Sequence, residues 1–145
     1  MGKVSDIVAA KGSQVWTVGS SATVLDAALL MNEHKIGALV VCDGGRVAGM
    51  FTERDVLRRV VSERRDPATV TVGDVMTKEV LCCTPDTTLD EARGAMKNRR
   101  IRHLPVVDGE GRLCGVVSIG DLNAHLVQNQ EQTIFFLHEY LHGRA

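Results

Sequence analysis

The sequence predicts an α/β chain built from two copies of one βαββα unit, packed with pseudo-two-fold symmetry and followed by a C-terminal helix. Three observations carry that prediction. The chain resembles itself at a displacement of roughly 65 residues. Within each copy the apolar period changes from strand to helix to hairpin to helix. Each copy also carries the same spacing, Gly49-x-x-Thr52-x-x-Asp55 and Gly115-x-x-Ser118-x-x-Asp121, between its last strand and its closing helix.

The repeat is read from segments that recur in order. Val4-Ser5-Asp6-Ile7-Val8 returns as Val72-Gly73-Asp74-Val75-Met76, and Thr23 to Met31 returns as Thr88 to Met96. Leu39-Val40-Val41 answers to Leu104-Pro105-Val106, and Arg46-Val47-Ala48-Gly49 to Arg112-Leu113-Cys114-Gly115.

Each copy opens with a short extended piece, Val15 to Val18 in the first and Val80 to Cys83 in the second. A helix comes next, because Val24, Ala27, Ala28 and Met31 fall at i, i+3, i+4 and i+7, and Leu89, Ala92 and Met96 repeat that stripe. The runs Ala38 to Cys42 and Val47 to Phe51, parted by Asp43-Gly44-Gly45, read as a hairpin. The second copy turns at Asp108-Gly109-Glu110-Gly111. The closing helix begins near Glu53 or Ile119, with Val56, Leu57, Val60 and Val61 as its apolar side chains in one copy and Leu122, Leu126 and Val127 in the other.

These signals place the first repeat at 4–63, the second at 72–127, and a helix and tail at 128–145. The stretch from Glu63 to Thr71 is the linker, since Pro67 disfavours helix in the residue before it. Ile134, Leu137 and Leu141 give the terminal helix one apolar edge. A single repeat is too small to bury a sufficient core, as chains of that size hide only about 60% of their unfolded surface. The two sheets are therefore expected to pack together.

Composition narrows the function classes. The 145 residues are 44% hydrophobic and 24% charged, the balance of a folded soluble domain. A net charge of -1 argues against a general nucleic-acid binder, which carries a basic face. No run reaches the length of a membrane span, and the N-terminus has neither a secretion signal nor a myristoylation motif, position 6 being Asp6. The expectation is a cytoplasmic protein without membrane contact. Cys42, Cys82, Cys83 and Cys114 lack paired metal or redox spacing and read as reduced packing residues.

The Gly-x-x-Ser/Thr-x-x-Asp junction carries the chemistry. Glycine allows close approach to the backbone, the hydroxyl can bond a phosphate, and a helix N-terminus offers unpaired N–H groups to anions. A carboxylate one turn later has two acceptor oxygens for the hydroxyls of a ribose. The same spacing is also an ordinary capping box, which does no more than satisfy helix-end donors. Its recurrence inside a whole-domain repeat favours a site.

Together these residues resemble the tandem CBS domain pair, or Bateman module, over about residues 4 to 127. Ile36-Gly37-Ala38-Leu39-Val40-Val41, Phe51-Thr52-Glu53-Arg54-Asp55 and Ile101-Arg102-His103-Leu104-Pro105-Val106 are similar to stretches of small stand-alone members. So is the segment from Gln128 to Tyr140. The resemblance implies a non-catalytic sensor, requiring no cofactor, that binds an adenosine nucleotide (AMP, ADP, ATP, NAD or S-adenosylmethionine) between the repeats. It implies a homodimer, signal transduction or energy sensing, and a target protein that the sequence does not name. By the same resemblance Asp55, Thr52, Thr17 and Ala38 belong to one site, and Asp121, Ser118, Cys82 and His103 to the other. Gly37 in the first copy corresponds to Arg102 in the second, and Val40 stands where the second has Pro105. Arg54, Arg102 and His103 are candidates to gather phosphate charge.

Two other classes compete. His138-Glu139-Tyr140-Leu141-His142 spells H-E-x-x-H, the zinc-hydrolase pattern, although such a site needs a third ligand and a walled cleft. A purely structural dimerisation module with degenerate pockets is the third. No Walker loop, dinucleotide fingerprint or ordered Ser-His-Asp set is present, and the site reading assigns neither catalytic residues nor metal ligands.

Overall fold

The computed structural model describes residues 2–12 and 15–126. Helix α1 (Val4–Lys11) leads into a two-residue strand β1 (Thr17–Val18), helix α2 (Val24–His34), and the hairpin β2 (Ala38–Asp43) and β3 (Arg46–Thr52). Helix α3 starts at Glu53–Asp55 and widens into a π-helix over Val56–Val61. The second repeat runs α4 (Val72–Val75), α5 (Leu89–Arg99), β4 (His103–Val107), β5 (Leu113–Ser118) and α6, helical over 119–126. The expected terminal helix at 128–145 lies outside the described residues, as does the H-E-x-x-H segment.

Local chemistry explains the boundaries. Thr23 Oγ1 caps α2 by accepting from Asp26 N at 3.1 Å, and Thr88 with Glu91 closes a reciprocal capping box on α5. Lys35 and Arg100 end the two helices in the same left-handed conformation, both at φ 54. The first hairpin turns through Gly44 and Gly45 at φ 62 and 81, a geometry that side chains resist.

Sheet one has the order β1-β2-β3, with Thr17 opposite Val40 in parallel and Ala38 opposite Thr52 in antiparallel register. Sheet two has only β4-β5. The strand expected over Val80 to Cys83 shrinks to a single parallel bridge between Cys83 and Val106. Pro105 is the physical reason. The pair equivalent to Thr17–Val40 would be Cys82–Pro105, and proline has no N–H to give to a ladder.

The closing helix of the first repeat also departs from expectation. Of its four apolar side chains, Val60 is buried and Val56 half-buried, while Leu57 and Val61 are 60% and 61% exposed. The widened turn, with Ser62 N donating to Leu57 O at 3.0 Å, places residues 57 and 61 together on the outside.

Two cores form, and they exchange segments. Val24, Ala27, Leu39, Val41 and Phe51 pack with Val72 and Val75 of α4. Ala92, Met96, Leu104, Val106 and Val117 pack with Val4 and Ile7 of α1. The leading helix of each repeat thus completes the core of the other. Reciprocal backbone bonds fix the exchange: Val4 N donates to Thr87 O and Leu89 N to Gly2 O, while Val72 N donates to Ala22 O and Val24 N to Val70 O. Arg46 and Arg112 bridge on the pseudo-two-fold axis, each guanidinium lying against the other repeat's turn glycine.

Candidate functional site

The two capping boxes form as the junction spacing requires, but their surroundings differ. In the first, Asp55 Oδ2 accepts from Thr52 N at 3.0 Å, and Thr52 Oγ1 accepts from Asp55 N at 3.4 Å. Asp55 Oδ1 accepts from Thr77 Oγ1 at 3.4 Å and lies 3.7 Å from Arg59 Nε. This carboxylate is 6% exposed, and it is the one buried charged side chain among the described residues. In the second, Asp121 Oδ2 accepts from Ser118 N at 2.8 Å, and Ser118 Oγ accepts from Asp121 N at 3.0 Å. Its outside partner is Lys11, whose Nζ donates to Asp121 Oδ2 at 2.7 Å and to Val116 O at 3.0 Å.

The difference arises where each leading helix ends. After short α4 the chain lies along β3, where Met50 and Thr77 exchange two backbone hydrogen bonds of 2.9 Å. Helix α1 is twice as long, 8 residues against 4, and at the equivalent edge of β5 it presents the Lys11 ammonium. Beside that edge a cavity of about 410 Å³ opens between the repeats. Trp16, Gly37, Ala38 and Met50 wall it on one side, and Lys11, His103, Val116 and Ser118 on the other.

Gly37, Ala38, His103 and Ser118 of the sequence-derived set therefore meet in one cavity; Asp121 does not line it but is bonded to Lys11, which does. The grouping mixes the repeats: the small pair Gly37-Ala38 of the first shares the cavity with Ser118 of the second. Thr52 and Asp55 sit at the other junction. Thr17 is exposed on β1, Cys82 is half-buried, and Pro105 is buried in β4; none of the three lines the cavity. Arg54 and Arg102 are exposed and also stand outside its lining. Lys11 and Trp16, absent from the sequence-derived set, occupy it instead. The signal for Trp16 was its place in the first extended piece, beside Thr17. No spacing rule brings Lys11 to Asp121, 110 residues away.

Gly49 and Gly115 do not open the backbone to a ligand, as the sequence reading assigns to them. A Cβ at Gly49 would stand 2.7 Å from Thr77 O and from Met76 Sδ, and one at Gly115 would stand 3.1 Å from Val8 Cγ2. The exchanged segment of the other repeat is what approaches these glycines.

Electrostatics reflect this geometry. Partial burial pushes the Asp121 carboxyl up, but hydrogen bonds from Lys11 and Ser118 outweigh it and hold the group below its ordinary value. Burial, and then the Arg102 charge, push His103 down from 6.5, so its imidazole is neutral at pH 7. Burial also raises the thiols of Cys42, Cys82 and Cys114, and that of Cys83 to about 11, so all four are protonated near neutrality. Trp16 stacks on His34 with ring centroids 3.5 Å apart.

Interlocked α/β repeats with paired junction motifs define a tandem domain pair, and the chain belongs to the CBS domain family, matching it over residues 4–62 and 72–128. It is 37% identical over 150 residues to the mitochondrial CBS domain-containing protein CBSX3 of Arabidopsis thaliana, covering 97% of this chain and 72% of that one. The solved structure of a CBS-domain protein from Burkholderia ambifaria is 41% identical, with a TM-score of 0.83 over 88% of this chain and 96% of that one. The CBS domain pair of protein MJ0100, solved with 5′-methylthioadenosine and S-adenosyl-L-methionine, has a TM-score of 0.79 over 89% of this chain and 98% of that one. At 24% identity that likeness is one of fold. No described helix is long and apolar enough to cross a membrane. Among the described residues no group of three or more His, Cys, Asp or Glu side chains is placed to hold a metal.

Proposed function

We propose that this chain is a cytosolic, non-catalytic regulatory module that binds one adenosine-containing nucleotide in the cavity beside Asp121. The observation that carries this reading is the cavity itself, about 410 Å³ between the repeats, with an aromatic ring, an ammonium group and a hydroxyl on its walls. That volume lies within the range of small-ligand sites, roughly 300–1,000 Å³. Trp16 and the aliphatic faces of Val40 and Val116 suit a base. Asp121 Oδ1 remains to accept from a ribose, since Ser118 and Lys11 both use Oδ2. Gly37 and Ala38 leave space where the pseudo-symmetric position carries Arg102 and His103, which is why one ligand per chain is expected.

A ligand seated on both repeats ties their relative order to occupancy, and a partner protein that distinguishes the two states would read it. The module acts as a homodimer in this reading, supported by the exposed apolar side chains Leu25 and Leu29 on α2 and Leu57 and Val61 on α3.

Thermal unfolding against AMP, ADP, ATP, NAD and S-adenosylmethionine, with GTP as control, tests the proposal. Saturation at about 100 times Kd should raise Tm by roughly 5 to 10 °C. Asp121→Ala should abolish most of that shift, and Asp55→Ala should leave it in place on a lower baseline. An equal response to GTP, or a full shift in Asp121→Ala, would overturn the site assignment.

A further inference from the structure

The geometry points to Lys11 as a specificity-determining residue: it is paired with Asp121 in the free protein and selects ligands that carry a phosphate. The inference rests on the nucleotide-binding reading of the same cavity and adds a ligand chemistry to it.

Lys11 stands at the last turn of α1, a helix whose own apolar side chains are buried in the second repeat's core. Its ammonium bridges two elements of that repeat, at 2.7 Å to Asp121 Oδ2 at the start of α6 and 3.0 Å to Val116 O in β5. Both charged side chains keep contact with solvent, 38% of Lys11 and 24% of Asp121. Lys11 lines the cavity, and Asp121 stands directly behind it, bonded to its ammonium. Of the described residues that wall it, His103 is neutral at pH 7, and Lys11 supplies the one formal charge.

That arrangement treats ligands unequally. An uncharged nucleoside can bond the free Asp121 Oδ1 but offers Lys11 no anion. A ligand with a phosphate beside its ribose offers a second anion, so Lys11 can turn from the carboxylate to the phosphate without losing a charged partner. Lysine suits such an exchange because its ammonium is a point charge on a flexible stem. A sulfonium ligand such as S-adenosylmethionine brings a positive charge toward Lys11 and is disfavoured. The equivalent edge at Met50 is filled by the backbone of Thr77, so this discrimination belongs to one cleft only.

Calorimetric titration of the full chain with AMP, adenosine and S-adenosylmethionine provides the test, using wild type, Lys11→Met and Lys11→Arg. Wild type should bind AMP roughly tenfold or more tightly than adenosine, the scale of one charge-assisted hydrogen bond. Lys11→Met, which keeps the aliphatic stem, should bring the two affinities to within about twofold, and Lys11→Arg should restore the preference. If wild type binds adenosine as well as AMP, or if Lys11→Met keeps the wild-type ratio, the role of Lys11 is overturned while nucleotide binding stands. If no adenosine ligand binds the wild type, the functional reading itself fails and this inference with it. Unfolding curves without ligand confirm that each variant is folded.

Discussion

Two aspartates with the same sequence context end in different environments, and the difference lies in the residues that meet them from outside the motif. Asp55 is closed in by Thr77 and Arg59, whereas Asp121 is met by a lysine that reaches solvent. His103 shows how the cavity also couples to pH. Its folded pKa lies below 6.5, chiefly through burial and then Arg102, against the opposing pull of Asp121. As pH falls through the ordinary histidine range, the unfolded chain takes up a proton that the folded chain refuses. The contribution of neutral His103 is therefore complete above about pH 6.5 and is lost as pH drops from there toward the folded pKa. His103→Gln should reduce the loss of stability between about pH 7.5 and 5.5, measured by urea unfolding at both values. An undiminished loss in the variant would mean that other groups carry it.

At the level of elements, the glycine before each junction serves the exchange of leading segments. Gly49→Ala would drive a methyl group against the Thr77 carbonyl, which accepts from Met50 N, and should cost roughly 2–3 kcal/mol. Gly115→Ala meets only the Val8 methyl at 3.1 Å, which can give by side-chain movement, and should cost about 1 kcal/mol or less. Urea midpoints of the two variants decide the matter, and equal losses would count against this account of the crossing. Proline acts at the same scale. With Val40 the first sheet keeps a two-residue parallel strand, and with Pro105 the second keeps a single bridge. The extended piece expected at Val80 to Cys83 forms no ladder beyond that bridge because the N–H it would pair with is missing at Pro105.

Across the whole molecule, the exchange of α1 and α4 means that neither repeat holds a complete core within its own sequence limits. The repeats are consecutive in the chain but interleaved in space, which brings an α1 lysine to an α6 carboxylate. The outer faces of α2 and α3 carry Leu29 at 58% and Leu57 at 60% exposure, which together make an exposed apolar surface. The expected assembly is a symmetric dimer through these helices. Sedimentation should give twice the chain mass for wild type and one chain mass for Leu29→Glu with Leu57→Glu. A wild-type monomer would remove this surface from the account.

The repeat, the order of its elements, the hairpins and both capping boxes were legible in the linear pattern. Period, turn residues and cap spacing are local properties, set by backbone geometry within a few residues. The outward turn of Leu57 and Val61 was not legible, because a π-helical register carries no distinct apolar period. Nor was the unequal fate of Asp55 and Asp121. That depends on whether a threonine-bearing segment or a lysine arrives at a sheet edge from the opposite repeat, and packing around the pseudo-two-fold axis decides it. Sequence spacing named the residues able to bind a ligand; tertiary packing chose which of them share a cavity and placed Lys11 among them.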